Sequence, residues 1–202
     1  MKDINADLDQ LRIRLSGRKP PKQKAVWQPP VLRDFKLGLS VLALDPSLSD
    51  FGWVMFEAHP SGIRIKEKGS IRPAPEATGY WQMWRKAEVI NGELWRLHYK
   101  YTSVSLVACE APLVGAGLRK ESSEIAGTLA YLVFTDHLSA IAARHASSVL
   151  CGNPRHDKRE ICDAVARYVP EAATRKWNVG QRDALAVGLA CLWDLAHPVI
   201  SK

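Results

Sequence analysis

The stretch Leu37-Gly-Leu-Ser-Val-Leu-Ala-Leu-Asp45-Pro-Ser-Leu-Ser-Asp-Phe-Gly-Trp-Val-Met-Phe56 decides the fold. Two apolar runs flank a turn rich in Pro, Ser and Asp, a pattern that predicts two adjacent β-strands. Asp45 ends the first run and is therefore expected at the rim of a sheet. A carboxylate among apolar residues is costly unless a metal ion or a donor satisfies it, although Asp45 alone could be a turn residue bonding its own backbone.

Beyond this hairpin, the sequence alternates between strand-like and helix-like segments. Three strands followed by alternating helices and strands are typical of an α/β domain with a mixed sheet covered on both faces. The patterns predict strands at residues 39–44, 52–57, 62–71, 104–109 and 147–151, and helices at residues 80–101, 121–144, 157–168 and 181–196. Within the helix that starts at Tyr80, we expect Trp84 to lie in the core.

Composition and charge narrow the function classes. The 202 residues are 47% hydrophobic with mean hydropathy -0.16, which suits one globular domain with a sizeable core. The net charge of +7 favours an anionic partner such as nucleic acid or an acidic membrane surface. No apolar stretch approaches the ~20 residues that span a bilayer, so we expect a cytoplasmic protein. The cysteines, Cys109, Cys151, Cys162 and Cys191, are too dispersed for a zinc knuckle or a disulfide framework.

Residues 1–36 differ from the rest of the chain in being basic and rich in proline. Such a segment buries too little apolar surface to fold alone, so we interpret it as an extended or partly disordered arm preceding a domain at residues 37–202. Two roles remain open for this arm. It is either a solubilising tail or a phosphate-tracking arm in which Trp27 stacks on an exposed base.

Two further acids are placed like Asp45. Glu110 follows the strand predicted at residues 104–109, and Asp183 lies near the start of the very apolar last helix. Taken singly, Glu110 could be a solvated strand end, and Asp183 could stabilise the first turn of its helix through the helix dipole. Taken together, the three acids form the oxygen-rich ligand set that Mg²⁺ and Mn²⁺ prefer, and such sites hydrolyse phosphodiesters.

Four segments in order resemble the motifs of the RuvC-type Holliday junction resolvases of the RNase H-like superfamily. They are the Leu42–Gly52 segment around Asp45, the Val107-Ala-Cys-Glu110 segment, the Lys158-Arg-Glu-Ile-Cys-Asp-Ala-Val165 segment, and the Arg182-Asp183-Ala-Leu-Ala186 segment. The resemblance implies an RNase H-like three-layer fold with a mixed five-stranded sheet. It also implies a metal-dependent endonuclease that binds four-way DNA junctions as a homodimer and cuts two strands symmetrically.

The resemblance assigns roles to particular residues. It makes Asp45, Glu110 and Asp183 catalytic ligands of Mg²⁺ or Mn²⁺, and it makes Lys158 a catalytic group that stabilises the scissile phosphate or the attacking water. The helix expected to begin at Glu121 would contribute to the dimer. The predicted DNA-binding residues are the cations beside these motifs: Arg119 and Lys120 at the tip of the loop after Glu110, and Arg155, Lys158 and Arg159 before the last motif.

One position departs from the family pattern. The resemblance calls for an acid or histidine one helical turn before Asp183, and this sequence has Gly180 there. Asn178 or Gln181 could supply a neutral oxygen instead, although Gln181 is better suited to capping the helix. Asp157 or His156 could also approach the site.

Two other function classes remain open. A protein that binds branched DNA without cutting it could keep the same fold, and Gly180 favours that class. An actin-like nucleotide-binding domain could use Asp45 and the turn after it to face ATP phosphates. The second class is disfavoured because that fold normally needs two such domains and the sequence lacks a second phosphate loop.

Overall fold

The computed structural model describes residues 27–73, 80–111, 118–154 and 157–198. The side chains of Tyr80 and of residues 118–121 fall outside this description. The strands are β1 (Leu39–Asp45), β2 (Phe51–His59), β3 (Gly62–Ile71), β4 (Leu106–Ala111) and β5 (Leu138–Ala142). The helices are α1 (Tyr80–Lys100), α2 (Leu118–Val133), α3 (Ala143–Cys151), α4 (Lys158–Ala166) and α5 (Val179–Ala196), with short 3₁₀ helices at Leu32–Asp34 and Pro170–Ala173.

The strands form one mixed five-stranded sheet in the order β3-β2-β1-β4-β5. The first three strands are an antiparallel meander, whereas β4 pairs parallel with β1 and β5 pairs parallel with β4. One face of the sheet packs against α3, α4 and α5, and the other face packs against α1 and α2. The predicted α/β architecture, a mixed sheet with helices on both faces, is confirmed.

Helix α5 is buried on nearly every side and crosses β1 and β2. Its small residues allow this close packing, since a Cβ on Gly188 would lie 2.7 Å from a Phe56 ring carbon and 2.9 Å from the Ala43 Cβ. Leu185, Leu189 and Leu192 are fully buried. A helix that is apolar all round must be central in the core, and this packing fixes where its first turns meet the sheet.

The fifth strand does not lie where the sequence pattern predicted it. Residues 147–151 were predicted as a strand but belong to α3, in which Ala146, Val149 and Leu150 face the core at helical spacing. The fifth strand is β5, inside the segment that was predicted to be a long helix. Its short run forms a strand because β4 offers a free parallel edge, with Cys109 opposite Ala140.

The domain begins before residue 37. Phe35 is buried and makes edge-to-face ring contacts with Tyr168 and Trp193, and the Tyr168 hydroxyl donates to the carbonyl oxygen of Pro30 at 2.6 Å. The predicted arm therefore ends earlier than residue 36. Trp27 packs on the backbone of Gly152 and keeps 42% of its surface exposed, and residues 1–26 lie outside the described residues.

Helix α1 corrects one core assignment. Trp84 was predicted in the core but is 58% exposed, because the buried stripe of this helix consists of Ile90, Leu94 and Leu97. Trp84 and Trp81 line an open groove of about 580 Å³ beside Leu129 of α2. Among the helices of the described residues, none is both long and apolar enough to span a membrane.

Candidate active site

Asp45 and Glu110 lie side by side on neighbouring parallel strands. Leu44 of β1 is paired with Cys109 of β4, so the next residues along the two strands are adjacent at the same edge of the sheet. Side chains alternate along a strand, and Ala43 and Ala108 face the layer that contains α5. The carboxylates of Asp45 and Glu110 therefore face the same helix layer.

Asp183 comes to this edge from α5. Asn178 caps the helix: its Oδ1 accepts from the Gln181 amide at 2.8 Å, while the Gln181 Oε1 accepts from the Asn178 amide at 3.1 Å. The helix thus begins at Val179, and Asp183 lies in its second turn rather than in the first turn. The helix-dipole explanation considered for Asp183 loses its basis, because the first turn holds no acid.

The three acids form one electrostatic group. Burial raises the pKa of Asp45 well above its ordinary value, and the negative charges of Glu110 and Asp183 raise it further. Burial and then the charge of Asp183 raise the pKa of Glu110 to about 7. Burial, and then the negative charges of Glu110 and Asp45, raise the pKa of the Cys109 thiol to about 12. Mutual repulsion of this kind is typical of carboxylates gathered at a functional site.

The donor chemistry of this group fits a divalent cation. Mg²⁺ and Mn²⁺ bind carboxylate oxygens. A cation beside these acids would offset the cost of burying their charges and would reduce their mutual repulsion. In the described residues, no three His, Cys, Asp or Glu side chains are arranged closely enough to surround a metal ion. The acids thus share an electrostatic field without converging on one point.

Lys158 is the positive group of the site. It is the first residue of α4, and its charge lowers the pKa of Asp45 against the effects of burial and the neighbouring acids. The helix start is fixed by a capping box in which the Asp157 carboxylate accepts from the amides of Arg159 and Glu160, both at 2.8 Å. Asp157 is therefore a cap. Arg159 is exposed, and Arg155 and His156 lie outside the described residues.

The turn after Asp45 is held from two sides. The Leu48 amide donates to the Ser122 Oγ of α2 at 3.1 Å. Asp50 accepts two bonds from Arg72, at 3.0 and 2.9 Å, just after β3 ends. These contacts tie the turn after β1 to α2 and to the residue that follows β3.

Gly180 lies in tight contact with Gly52 and Asp45. A Cβ on Gly52, the β2 residue paired with Asp45, would overlap the carbonyl group of Gly180. A Cβ on Gly180 would lie 3.3 Å from Asp45 Oδ2 and 3.3 Å from the Gly52 Cα. The two glycines thus let the first turn of α5 rest directly on β2 beside Asp45. The oxygens of Asn178 and Gln181 are used in the helix cap, as expected for Gln181.

The DNA-binding residues predicted after Glu110 are only partly located. Arg119 and Lys120 lie in the first turn of α2, which begins at Leu118, and not at the tip of a loop as predicted. Their side chains and residues 112–117 are outside the described part of the chain. The sequence motif contains Gly52 but did not identify it as a contact of α5, although a glycine inside an apolar strand signals close approach by another backbone.

No protein-family model matches the sequence, and no curated protein is significantly similar to it. Solved structures are similar in fold. The RuvC structure from Thermus thermophilus has a TM-score of 0.65 and 14% identity, over 80% of this chain and 98% of that one. RuvC from the same organism in complex with a Holliday junction substrate gives 0.64 and 15%, over 79% and 96%.

The yeast mitochondrial Holliday junction resolvase is similar over a longer part of the chain. Its TM-score is 0.56 at 10% identity, and the match covers 94% of each chain. At sequence identities this low, the structural similarity shows a shared fold. With its five-stranded mixed sheet, three-layer packing and acids at one sheet edge, the chain has the RNase H-like fold of the RuvC-type Holliday junction resolvases.

Proposed function

We propose that this protein is a metal-dependent endonuclease that resolves four-way DNA junctions. It would hydrolyse one phosphodiester in each of two strands, at symmetric positions. The observation that carries the proposal is the group of mutually repelling acids Asp45, Glu110 and Asp183 at one end of the sheet, with the positive charge of Lys158 acting on Asp45. The similarity in fold to RuvC in complex with a Holliday junction substrate supports the choice of DNA substrate. The net charge of +7 suits a polyanion.

The carboxylates, with water completing the ligand set, would hold Mg²⁺ or Mn²⁺, and the cation would activate a water and stabilise the leaving oxygen in phosphodiester hydrolysis. The chain itself has two tasks. It must keep acids with raised pKa values ionised, and Lys158 assists because its charge lowers the pKa of Asp45. It must also stabilise the charge that develops on the phosphate, for which the ammonium group of Lys158 is placed at the start of a capped helix.

Predicted DNA contacts extend from this centre. Arg119 and Lys120 in the first turn of α2 and Arg159 at the start of α4 lie on the elements that carry or follow the site residues. Together with Arg155 and Lys158, these cations would bind phosphates on both sides of the cut. Phosphate contacts position the duplex, so their loss should weaken binding without changing the chemistry.

Paired cutting requires two active sites, and we propose that two copies of the chain supply them. Tyr131 and Leu132, successive residues on α2, are 56% and 64% exposed, which is unusual for large apolar side chains. They belong to α2, in the helix layer opposite α5, and Tyr131 also lines a small cavity that includes Glu110, so a partner on α2 would lie beside that acid. Symmetric cuts in a four-way junction would then follow from the symmetry of the dimer.

The decisive experiment is cleavage of a synthetic four-way junction in Mg²⁺ or Mn²⁺ by the wild type, Asp45→Asn, Glu110→Gln and Asp183→Asn. We expect paired nicks from the wild type and a loss of at least about 10²-fold in each variant. Asp163→Asn, an exposed acid of α4, is the matched control and should cut normally.

Other outcomes identify the other function classes. Tight junction binding without cutting by the wild type, in either metal, would assign the protein to non-catalytic branched-DNA binding. ATP turnover by the wild type would favour the actin-like class. Equal cutting by the wild type and Asp45→Asn would remove Asp45 from the chemistry.

A further inference from the structure

Lys68 of edge strand β3 contacts the segment that leads into α5. Its Nζ donates to the carbonyl oxygen of Lys176 at 2.7 Å and to Gln181 Oε1 at 3.4 Å. The same ammonium lies 5.0 Å from the centroid of the buried Trp177 ring. A lysine with three such partners holds one position, because each contact restricts its flexible stem.

Ser70, two residues along β3, holds the other half of the same cap. Asn178 Nδ2 donates to Ser70 Oγ at 2.6 Å, while Asn178 Oδ1 accepts from the Gln181 amide at 2.8 Å. Gly69 lies between Lys68 and Ser70. A Cβ on Gly69 would lie only 2.6 Å from a carbon of the Trp53 ring. Lys68 and Ser70 thus face α5 while the strand between them is held against Trp53.

These contacts restrain the start of α5 from the β3 side, and Gly52 restrains it from the β2 side. Asp183 follows Gln181 by two residues within the same helix, so the position of the cap determines the position of the carboxylate. We infer that Lys68 and Ser70 are positioning residues that set Asp183 against Asp45. The inference rests on the proposed function, in which Asp183 is a metal ligand; Lys68 acts through Gln181 and does not touch the substrate.

The test compares Lys68→Met with Lys68→Arg and with Lys66→Met, a matched control on the same strand whose ammonium pairs with Glu57 near the surface. Three quantities are measured in full-length protein: Mn²⁺ affinity by titration, kcat and KM on the four-way junction, and thermal stability. We expect Lys68→Met to weaken Mn²⁺ binding or to lower kcat by about 10–100-fold, the usual effect of removing a residue that orients a metal ligand. KM for the junction should stay unchanged, and Lys68→Arg should recover most of the loss.

The inference is overturned if Lys68→Met matches Lys66→Met in Mn²⁺ affinity and in kcat while Asp183→Asn is impaired in both. A fall in thermal stability alone also counts against it. The proposed function fails separately, and visibly, if Asp183→Asn itself binds Mn²⁺ and cuts like the wild type. Should Lys68→Met fail to fold, Ser70→Ala removes the bond to Asn178 and is held to the same outcomes.

Discussion

At the residue scale, the site is defined by charges that raise one another's pKa values. Asp45 and Glu110 are adjacent because β1 and β4 are parallel and in register, and Asp183 adds a third negative charge from α5. Burial is the largest cause of the raised pKa of both strand acids. The burial and mutual repulsion of such carboxylates destabilise a folded protein, and a bound cation would offset both effects.

Stability in a metal chelator should therefore depend on pH. Asp45 and Glu110 have folded-state pKa values above those of the unfolded chain, so the folded protein binds more protons. The stability that the two acids contribute is fully present below the pKa of an ordinary carboxyl group. It is lost as pH rises through their raised pKa values; for Glu110 this value is about 7. Thermal unfolding from pH ~5 to ~8 should show a falling Tm in the wild type and a smaller fall in Asp45→Asn.

At pH ~8 in chelator, we expect Asp45→Asn to be the more stable protein, by about 2–4 °C for each ~1 kcal/mol of relieved repulsion. Added Mn²⁺ should then raise the Tm of the wild type more than that of the variant. Asp163→Asn, which removes an exposed acid of α4, should follow the wild type. Parallel pH profiles for wild type and Asp45→Asn would mean that the acids do not interact.

The contact between Gly52 and Gly180 yields a second prediction at this scale. Gly52→Ala places a methyl group against the Gly180 carbonyl, and only a shift of α5 or β2 can accommodate it. We expect a loss of about 1–3 kcal/mol in the free energy of unfolding and a large loss of cutting. Gly92→Ala is the control, because a Cβ there meets nothing within 4 Å and alanine favours the helix. A normal Gly52→Ala enzyme would show that the helix start can move freely.

At the element scale, each site residue depends on how its strand or helix begins or ends. Asp45 is the last residue of β1, and Lys158 is the first residue of α4. The capping boxes of α4 and α5 are thus part of the site, because they decide where Lys158 and Asp183 lie.

Removing the cap of α4 should affect Lys158 in particular. We expect Asp157→Ala to lower the free energy of unfolding by about 0.5–2 kcal/mol, the usual effect of losing an N-cap. Cutting should fall as the first turn of α4 frays, while Mn²⁺ affinity stays close to wild type because no carboxylate of the site is removed. Asp163→Ala in the same helix is the control. Unchanged cutting by Asp157→Ala, measured at equal folded fraction, would argue against a role for Lys158.

At the scale of the whole molecule, the two faces of the sheet carry different parts of the proposed site and interface. The face with α3, α4 and α5 carries Asp183 and Lys158, and the opposite face carries α1 and α2 with their exposed aromatic side chains. The division is incomplete, because Tyr131 of α2 lines a cavity with Glu110. The predicted DNA contacts Arg119 and Lys120 also lie on α2.

Assembly is tested by the double substitution Tyr131→Glu with Leu132→Glu. If α2 forms the dimer, two buried charges should give a monomer in sedimentation, and the junction should be nicked in one strand instead of being resolved. Leu195→Glu, at a 47% exposed position on α5, is the control and should leave the protein dimeric. A dimer that survives the double substitution would place the interface elsewhere.

The acids and the order of most elements were predictable from the sequence because both are local. Asp45 and Glu110 follow apolar runs that predict strands, and Lys158 lies in a segment predicted as a helix. Gln181 was also recognisable as a cap. The placement of these residues at one edge followed from the parallel pairing expected of an α/β domain.

The tertiary structure alone decided the features that depend on distant neighbours. Residues 138–142 became a strand because β4 offered a free edge, and residues 147–151 became a helix because their apolar side chains reach the core at helical spacing. Trp84 is exposed because other residues of α1 fill the core. The close contact at Gly180 had no local signal, since its backbone partner is Gly52, which lies 128 positions earlier (180 − 52) in the chain. Local patterns set most of the elements, but contact between distant segments decides whether a short apolar run becomes a strand or a helix, and it sets how closely two elements pack.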